Sequence, residues 1–565
     1  MVAKAYRPVV RDQVFLLPPD MREWLPDDHP VWLVIEAVGQ LDTSAFHARR
    51  RLGGAGAAAY DPDMMITLLV WAYANQVTSS RRIERLCGQD VAFRVICGGN
   101  LPDHVTVARF RQQFADAAAG LFTQVLVLCA RLGMGRLGVV ALDGTKIRAN
   151  AAVDANRGEE KLAELAAAAV AAHAAADAQE DALFPAGPGD QAPPDARTPH
   201  TRAGRIAAAL ASARAERERR DAEAAAGQRA RQDKAAEYVT AARAGTPKRG
   251  PSPHAAAAGL ARLAVDREIA AYQAKVAARD AAIAAGRAVP GRPPVPAEQY
   301  CRVRAARAKL DAALARDDAR DDARDGHGAG GQPARPAARG AKIRRNITDP
   351  DSRLLPVRGG GYIQGYNAQN VFSQDLLVIA TELTDEPVDT PWYEPMMTAA
   401  QDAAALITAH QPPGPGPGAG AGAVAGIGLA VADAGYLSEH NLTCPGPDRL
   451  IATGRRHDLE KTARTAAAGG TPPGQDPAPG TSPVIAAMTA RLATEDGITA
   501  YRHRSHIGET PHGNIKHNLR FRQLTMRGKP RAAGEWTFIC TVHNLLTAIH
   551  SGHLTTWALA TLQPS

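Results

Sequence analysis

Three acidic side chains stand in surroundings that could give them a shared chemistry. Asp143 follows a short apolar run, 139–142, a pattern typical of a buried strand that brings a carboxylate to the edge of a sheet. Asp433 follows a second run of this kind, 429–432, and Glu509 lies in a basic, helix-compatible segment. Two strand-end aspartates and a helical glutamate can hold two divalent cations about 4 Å apart. Such a pair stabilises charge on the attacking and leaving oxygens when a phosphodiester is cut.

The charge of the chain favours a polyanionic partner. Its 565 residues carry a formal net charge of +8 and a pI near 9.2, although part of that charge is ordinary solvated surface. Between Tyr501 and Glu535, eight lysines and arginines stand against two glutamates. Such density beside a carboxylate site would bind phosphates next to the bond that is cut, with salt-dependent affinity. A solvated basic helix is the bland alternative.

Each acid taken alone also has a plain structural interpretation, because an acid after a strand is more often a turn residue or a helix cap. Asp349 and Asp351 are rival acids in a D-P-D turn, where we expect them to cap the chain or fold it back toward the sheet. We leave both out of the catalytic set. Asn367 and Gln369, on the following predicted strand, could orient a metal site or contact DNA, but packing is the favoured interpretation.

Histidines and cysteines give little support to zinc or to disulfides. Four histidines lie in the basic segment without nearby cysteines or an H-x-x-x-H pair, so zinc is the weaker interpretation there. The six cysteines are scattered without a C-x-x-C pair, which argues against a zinc ribbon and a disulfide framework. No signal-peptide or membrane-spanning pattern is found, so we expect no membrane partner and a cytoplasmic location. The four histidines are His503, His506, His512 and His517.

Composition divides the chain into four predicted parts. Residues 1–130 are predicted as a helical N-terminal DNA-binding domain, 131–150 as the first part of a catalytic domain, 151–345 as an Ala/Arg-rich helical insertion and 346–555 as the remainder of the catalytic domain. The insertion has strong helix propensity but few large apolar residues, so long exposed helices or helical hairpins are expected. Strand patterns resume after it, which predicts a mixed sheet with helices on its faces.

Two predicted helices in the N-terminal part, 79–86 and 101–114, carry basic faces, and we expect a short turn between them. The pattern is compatible with a helix-turn-helix that contacts DNA. A helical packing domain with solvated arginines is an equally good interpretation, because basic helices are common. The arginines that would contact DNA are Arg81, Arg82, Arg109 and Arg111.

Seven short sequence elements, in and between the segments that carry the three acids, follow one another along the chain. They are D-G-T-K-I at 143–147, N-I-T-D-P-D-S-R at 346–353, Q-G-Y-N-A-Q at 364–369, A-D-A-G-Y at 432–436, E-T-P-H-G-N-I-K at 509–516, E-W at 535–536 and H-N-L at 543–545. With these elements, over most of its length, the chain resembles the bacterial insertion-sequence transposases of the DDE class, whose catalytic core is ribonuclease-H-like.

The resemblance implies a fold, a reaction and partners. The fold would be α/β, a ribonuclease-H-like mixed sheet with flanking helices, plus an all-α N-terminal domain and a long helical insertion. Asp143, Asp433 and Glu509 would be the catalytic residues and the ligands of two Mg²⁺ ions, with Mn²⁺ as a substitute. The protein would bind terminal inverted repeats and catalyse strand cleavage and strand transfer on double-stranded DNA, at the element ends and in target DNA. A homodimer in a paired-end complex, associated with the nucleoid, is expected.

A related signature of such enzymes has Tyr, two residues, Arg, three residues, Glu, six residues and Lys. The chain matches it at Tyr501 and at Lys516, but four residues instead of three separate Arg504 from Glu509. An arginine-rich segment follows. The DNA contacts implied in this region are those of Tyr501, Arg504, Lys516, Arg520 and Arg522.

Departures from the family pattern support a rival function. Besides the extra residue after Arg504, Pro511 is unsuited to a helix interior, so we expect a helix that begins near Pro511 with Glu509 at its N-terminal edge. The alternative is a catalytically inactive, decayed transposase that acts only as a DNA-binding protein. An RNA-processing nuclease on the same fold is a third interpretation, by fold analogy alone. For the insertion, contact with a partner subunit or with flanking DNA is the hypothesis.

Overall fold

Before residue 139, every regular element in the described part of the chain is a helix, and the first strand begins with the apolar run before Asp143. Two compact units are formed, one by Met1–Leu210 with Arg345–Ser565 and the other by Ala211–Arg344. The computed structural model describes residues 20–48, 59–114, 117–183, 201–246, 252–324, 343–357, 359–412, 426–454, 456–467 and 482–562.

Helices make up most of the described chain, and several begin where the sequence offers a cap. Asp61 caps α3 by accepting from the backbone N–H of Asp63 at 2.7 Å, with Pro62 in the first turn. The helices are α1 (Pro30–Gly39), α2 (Ser44–His47), α3 (Pro62–Ala74), α4 (Ser80–Gln89), α5 (Val91–Ile96), α6 (His104–Phe114), α7 (Ala118–Arg131), α8 (Glu159–Leu183), α9 (Arg202–Arg243), α10 (Ala257–Ala284), α11 (Cys301–Arg324), α12 (Tyr393–His410), α13 (Glu439–Thr443), α14 (Arg456–Ala467), α15 (Pro483–Leu492), α16 (Glu495–Arg504), α17 (Thr510–Gly513), α18 (Lys529–His550) and α19 (Thr556–Thr561).

Six strands form one mixed sheet in the order β4-β5-β1-β7-β8, with β6 on the same edge of β5 as β4. Strand β1 is antiparallel to β5 and parallel to β7, which is parallel to β8. A mixed sheet with helices agrees with the predicted α/β class. The strands are β1 (Val139–Arg148), β2 (Asn156–Gly158), β3 (Arg344–Asn346), β4 (Arg353–Pro356), β5 (Tyr362–Phe372), β6 (Val378–Thr384), β7 (Leu429–Ala432) and β8 (Asp448–Ile451).

One hydrophobic core joins the N-terminal helices to the sheet. Val140, Ala141 and Leu142 of β1, the strand between β5 and β7, are fully buried, so both faces of the sheet are covered there. Helix α18 packs against α7 and β6 and buries Trp536 completely. The apolar run before Asp143 is therefore the centre of the unit, and the backbone that carries Asp143 is held firmly.

The second unit contains most of α9 together with α10 and α11. Its buried apolar side chains are small, such as Ala235, Val265 and Val303. Ion pairs one turn apart, such as those of Glu216 with Arg219 and Arg220, line the surface of α9. Long helices, α8 to α11, therefore occupy much of the described part of 151–345, the region predicted to be helical.

The N-terminal helices differ from the prediction in one respect. A further helix, α5, lies between α4 and α6, so the short turn expected between the two basic helices is wrong. Asp90 explains α5, because its carboxylate accepts from the N–H groups of Ala92 and Phe93 and caps a new helix. Among the described residues, no single helix is both long and apolar enough to cross a membrane; His104–Gln113 and Ala118–Arg131, 80° apart, reach that length and apolarity only as a pair.

Candidate active site

Asp143 and Asp433 lie on neighbouring parallel strands. Leu142 pairs with Ala432, so the two aspartates that follow stand side by side. Asp433 directly follows the last residue of β7, as predicted, but Asp143 lies inside β1. The prediction of a strand end at Asp143 is wrong because pairing with β5 carries β1 on to Arg148.

Glu509 lies within a continuous helical run, 495–518, in which α16 and α17 are joined and followed by π-helical turns. As predicted, α17 begins next to Pro511 with Glu509 directly before it, but it continues the helical run from Glu495 and is not a separate helix. Pro511 has no N–H and its ring crowds the carbonyl four residues earlier, and the wider π turn at Ser505–Glu509 accommodates both effects. The same turn absorbs the extra residue between Arg504 and Glu509, so both side chains still face the sheet.

The guanidinium group of Arg504 brings the three acids together. Its Nη2 donates to Asp143 Oδ1 at 2.8 Å and lies 3.5 Å from Asp433 Oδ2. Its Nη1 lies 3.4 Å from Glu509 Oε1. The side chain of Arg504 is 13% exposed, and within the described residues its buried Nε has no hydrogen-bond partner. One arginine therefore offsets charge on all three carboxylates.

The two aspartates differ in proton affinity although they are neighbours. Burial disfavours the charged form of both, but at Asp143 the hydrogen bonds from His512 and Arg504 and the positive charge of Arg504 outweigh burial, so its pKa is lowered. At Asp433 burial prevails over Arg504, and the like charges of Asp143 and Asp389 add to it, so its pKa is raised. Asp143 is thus the more firmly ionised carboxylate of the pair.

A fourth carboxylate, Asp389, lies beside the three predicted acids. Its Oδ1 accepts from the amides of Asn367 and Gln369, both at 2.7 Å. A Cβ on Gly435 would stand 2.9 Å from Asp433 Oδ1 and 3.2 Å from Asp389 Oδ2, and a Cβ on Gly144 would stand 2.8 Å from Asp389 Oδ1. The glycines after both aspartates therefore leave room for this carboxylate.

Sequence reasoning missed Asp389 because nothing in its own neighbourhood distinguishes it from a loop acid. The signal that could have found it was elsewhere, in two polar amides, Asn367 and Gln369, on a strand that the pattern otherwise buries. Buried amides need partners. Packing was the favoured interpretation of both residues, and the structure adds the hydrogen bonds that they give to Asp389.

The donor chemistry of the three acids fits the predicted ions, because Mg²⁺ and Mn²⁺ prefer carboxylate oxygens. Their oxygens do not all lie within 4.8 Å of one another, since Arg504 lies between them, and it must move before one ion can contact all three. Within the described residues, the group that meets this distance is His47, Asp61 and Asp63. Of these, Asp61 caps α3 and Asp63 pairs with His47.

The predicted DNA contacts that follow Glu509 in the sequence are Lys516, Arg520 and Arg522, and two of them lie at an open, positively charged cleft. A cleft of about 430 Å³ opens at the end of β1, and Arg148, Arg520 and Arg522 line it. Arg520 and Arg522 are exposed. Lys516 is partly buried; its ammonium donates to the Thr145 hydroxyl and to the Lys146 carbonyl, the latter at 2.9 Å. An ammonium has three N–H donors, so Lys516 keeps one.

Of the four N-terminal arginines, Arg81, Arg82 and Arg109 are exposed and Arg111 is buried. Arg111 Nη2 pairs with Glu535 Oε1 at 2.7 Å. A guanidinium buried in the core cannot contact a phosphate, so the prediction that Arg111 binds DNA is wrong.

Tyr501 is likewise only 4% exposed and belongs to the hydrophobic core. The structure therefore corrects its predicted contact with DNA too. The reason is its position on α16, whose face with Tyr501 and Ile498 turns inward, while Arg502 and His503 are exposed.

Two family models match parts of the chain. Residues 19–113 match a model described as a transposase domain (DUF772), and residues 480–548 match one described as a transposase DDE domain. The first match covers α1–α6 and the second covers α15–α18, which include Glu509. Asp143 and Asp433 lie outside both. No curated protein and no solved structure matches the chain.

Proposed function

We propose that this chain, which its two matches identify as an insertion-sequence transposase of the DDE class, binds the terminal inverted repeats of its own element and cuts and transfers DNA strands. Hydrolysis at the element end frees a 3′ hydroxyl, and that hydroxyl then attacks a phosphodiester of target DNA. The substrate is double-stranded DNA. The protein works as a homodimer that holds two ends, in the cytoplasm and on the nucleoid.

The observation that carries the proposal is the convergence of Asp143, Asp433 and Glu509 on Arg504. Asp143 is 290 positions before Asp433, which is 76 positions before Glu509, so their meeting depends on the fold and not on a local pattern. Three carboxylates in one place repel each other, so a fold keeps them together only where something positive is bound. Arg504 supplies part of that charge.

The carboxylates would hold two Mg²⁺ ions, or Mn²⁺ in their place, which supply charge stabilisation at the attacking and leaving oxygens. Asp143, with its lowered pKa, is ionised throughout the neutral range. Asp433 is buried and lies near the negative charges of Asp143 and Asp389, so it binds a proton more readily than Asp143 does. Glu509, the most exposed of the three, comes from the helix that lies across the sheet.

Basic side chains from two parts of the chain would hold the DNA. Arg81, Arg82 and Arg109 are exposed on α4 and α6 and suit contacts with the inverted repeat. The remaining N–H of Lys516 and the arginines of the cleft suit phosphates near the cut; this second group is Lys516, Arg520 and Arg522. Arg504 was predicted to contact DNA as well, but its side chain is 13% exposed and its guanidinium is bound to the three acids, so the structure does not favour that contact.

Cleavage of a labelled element end tests the proposal. The DNA that co-precipitates with the protein from cells is sequenced to identify the ends, and a duplex of that sequence is incubated with Mg²⁺. We expect cleavage by the wild type and none by Asp143→Ala, which should still shift the duplex on a gel because Asp143 is not a DNA contact. Binding without cleavage by the wild type would contradict the proposal.

That last outcome is the one expected of a decayed transposase that only binds DNA. The support for this alternative was the spacing of Arg504, the position of Pro511 and the proline-rich loops, which lie mostly outside the described residues. A π-helical turn accommodates the first two features and keeps Arg504 within 3.4 Å of Glu509. The cleavage test decides between the two functions.

A further inference from the structure

We infer that His512 is a positioning residue, which holds the carboxylate of Asp143 in one rotation by donating from Nδ1 as a neutral imidazole. The inference rests on the proposed function, because it assigns a task toward the cations that Asp143 would bind. His512 belongs to α17 and is 6% exposed. Its Nδ1 lies 3.2 Å from Asp143 Oδ2, and the edge of its ring meets Phe372 with centroids 4.9 Å apart.

The side-chain amide of Asn370 determines which ring nitrogen of His512 carries the proton. Nε2 of His512 lies 3.1 Å from Nδ2 of Asn370, and an amide nitrogen can only donate. Nε2 must therefore accept, and a neutral ring that accepts at Nε2 carries its proton on Nδ1. That proton faces Asp143 Oδ2.

The orientation of the Asn370 amide is fixed in turn. Its Oδ1 accepts from the Thr381 hydroxyl at 2.6 Å, and the indole N–H of Trp536 lies 3.3 Å away. Trp536 also donates to Thr381 Oγ1 at 2.9 Å. An indole nitrogen only donates, so a reversed amide would set two donors against each other. A core tryptophan of α18 therefore determines, through Asn370, which nitrogen of His512 carries the proton.

The consequence falls on Asp143. A terminal carboxylate torsion is broad and settles by its hydrogen bonds. Oδ2 receives the imidazole N–H and Oδ1 receives Arg504, so each oxygen has one protein donor and keeps a lone pair for a cation. Groups that orient a metal ligand in this way contribute roughly 10–100-fold to metal affinity.

The tautomer is measured directly by NMR on protein labelled with ¹⁵N-histidine, in which His512→Asn identifies the resonances. We expect the pair of ¹⁵N shifts typical of a neutral ring protonated on Nδ1, in the protein without added metal. A ring protonated on Nε2, or on both nitrogens at neutral pH, would overturn the inference. This readout does not depend on catalysis.

Two substitutions separate positioning from packing. In His512→Asn the amide nitrogen is attached to Cγ, as Nδ1 of histidine is, so this variant keeps a hydrogen-bond donor for Asp143. The amide of His512→Gln reaches as far as Nε2, so it keeps a partner for Asn370 and loses the bond to Asp143. Both remove the ring from the core, so their melting temperatures should fall together, and this makes them a matched pair.

Mn²⁺ binding, followed by electron paramagnetic resonance without DNA, should be weakened about 10–100-fold in His512→Gln and much less in His512→Asn. Equal affinity in both variants would overturn the positioning role, even if the wild type cuts DNA. If the wild type binds Mn²⁺ with this difference between variants but cuts no DNA, the proposed function fails and the role of His512 stands.

Discussion

At the scale of single residues, the site depends on how charge is distributed around Arg504. Asp143, Asp433 and Glu509 share this one guanidinium, and Asp389 adds a fourth negative charge beside Asp433. Like charges so close raise each other's pKa. The acids therefore bind protons and divalent cations in competition, and the balance depends on their neighbours.

Replacing Asp389 with asparagine should lower the pKa of Asp433. Burial is the main reason that this pKa is raised, and the charge of Asp389 adds to it. Cation binding needs the ionised carboxylate, so it is lost as the pH falls through the pKa of Asp433. In Asp389→Asn that loss should occur at a lower pH, measured by Mn²⁺ titrations across the acid range.

Asp385→Asn is the matched control, because Asp385 pairs with Arg353 and Lys529 and is not a cause of the Asp433 shift. Its pH profile of Mn²⁺ binding should coincide with that of the wild type. A shift to higher pH in Asp389→Asn, or equal shifts in both variants, would contradict this assignment.

The residues that sequence alone identifies are those that a short local pattern marks. Asp143 and Asp433 follow apolar runs, and Glu509 belongs to an ordered set of motifs. Asp389 and His512 act through partners far away in the sequence, so no local pattern reveals them. For Arg111 the local pattern was misleading. A basic helix face predicts contact with DNA, but it gives no sign that Arg111 pairs in the core with Glu535, 424 positions later.

At the scale of elements, the site depends on how closely the helical run 495–518 approaches β1. A Cβ on Gly508 would lie 3.3 Å from the Cβ of Asp143 and 3.7 Å from that of Ala141. A Cβ contact of 3.3 Å is already tight, so a side chain larger than that of alanine at 508 would crowd the strand. The pattern of the sequence predicts the strand and the helical character, but not the π turns, which arise from Pro511 and an extra residue together.

Gly508→Val should push the helical run away from β1 and so move Glu509 away from Asp143 and Asp433. A displacement of about 1 Å at a reacting centre can cost about 100-fold in rate. We expect a loss of that order in single-turnover cleavage at saturating DNA. Gly513→Val lies in the same run with open space around its Cβ and should keep the wild-type rate. Equal losses in both would mean that helix packing on β1 is not the cause.

The buried pair of Arg111 and Glu535 joins α6 to α18 inside the shared core. Arg111→Ala should lower the free energy of unfolding by about 3–5 kcal/mol, because it leaves the carboxylate of Glu535 buried without its counter-charge. Arg109→Ala, exposed on the same helix, should change it by less than about 0.5 kcal/mol. Urea unfolding measures both, and a loss under about 1 kcal/mol for Arg111→Ala would contradict the structural role of the pair.

At the scale of the whole molecule, the net charge of +8 and the cleft at the end of β1 predict that the proposed affinity for DNA falls as the salt concentration rises. The mixed sheet and the long helices of the insertion could be foreseen, because composition and periodicity mark them. The single core that joins α1–α7 to the sheet could not, since it depends on which buried faces meet.

Replacing Arg520 and Arg522 together with alanine should reduce the slope of log affinity against log salt by about 2, close to one unit for each lost phosphate contact. Arg136→Ala is the control, because Arg136 is exposed before β1, at the opposite end of the strand from the cleft. Titrations of labelled element DNA at several salt concentrations give the slopes. An unchanged slope in the double variant would remove the cleft from the DNA path.

The claim on which the account depends is that Asp143, Asp433 and Glu509 form one centre. Groups that act as a unit lose activity together, so each single substitution costs nearly as much as all of them. The decisive measurement is the single-turnover rate of Mg²⁺-dependent cleavage in Asp143→Asn, Asp433→Asn, Glu509→Gln and the triple variant. We predict that each single variant falls to nearly the rate of the triple variant. Losses that add independently, or a single variant that cuts at the wild-type rate, would contradict the account.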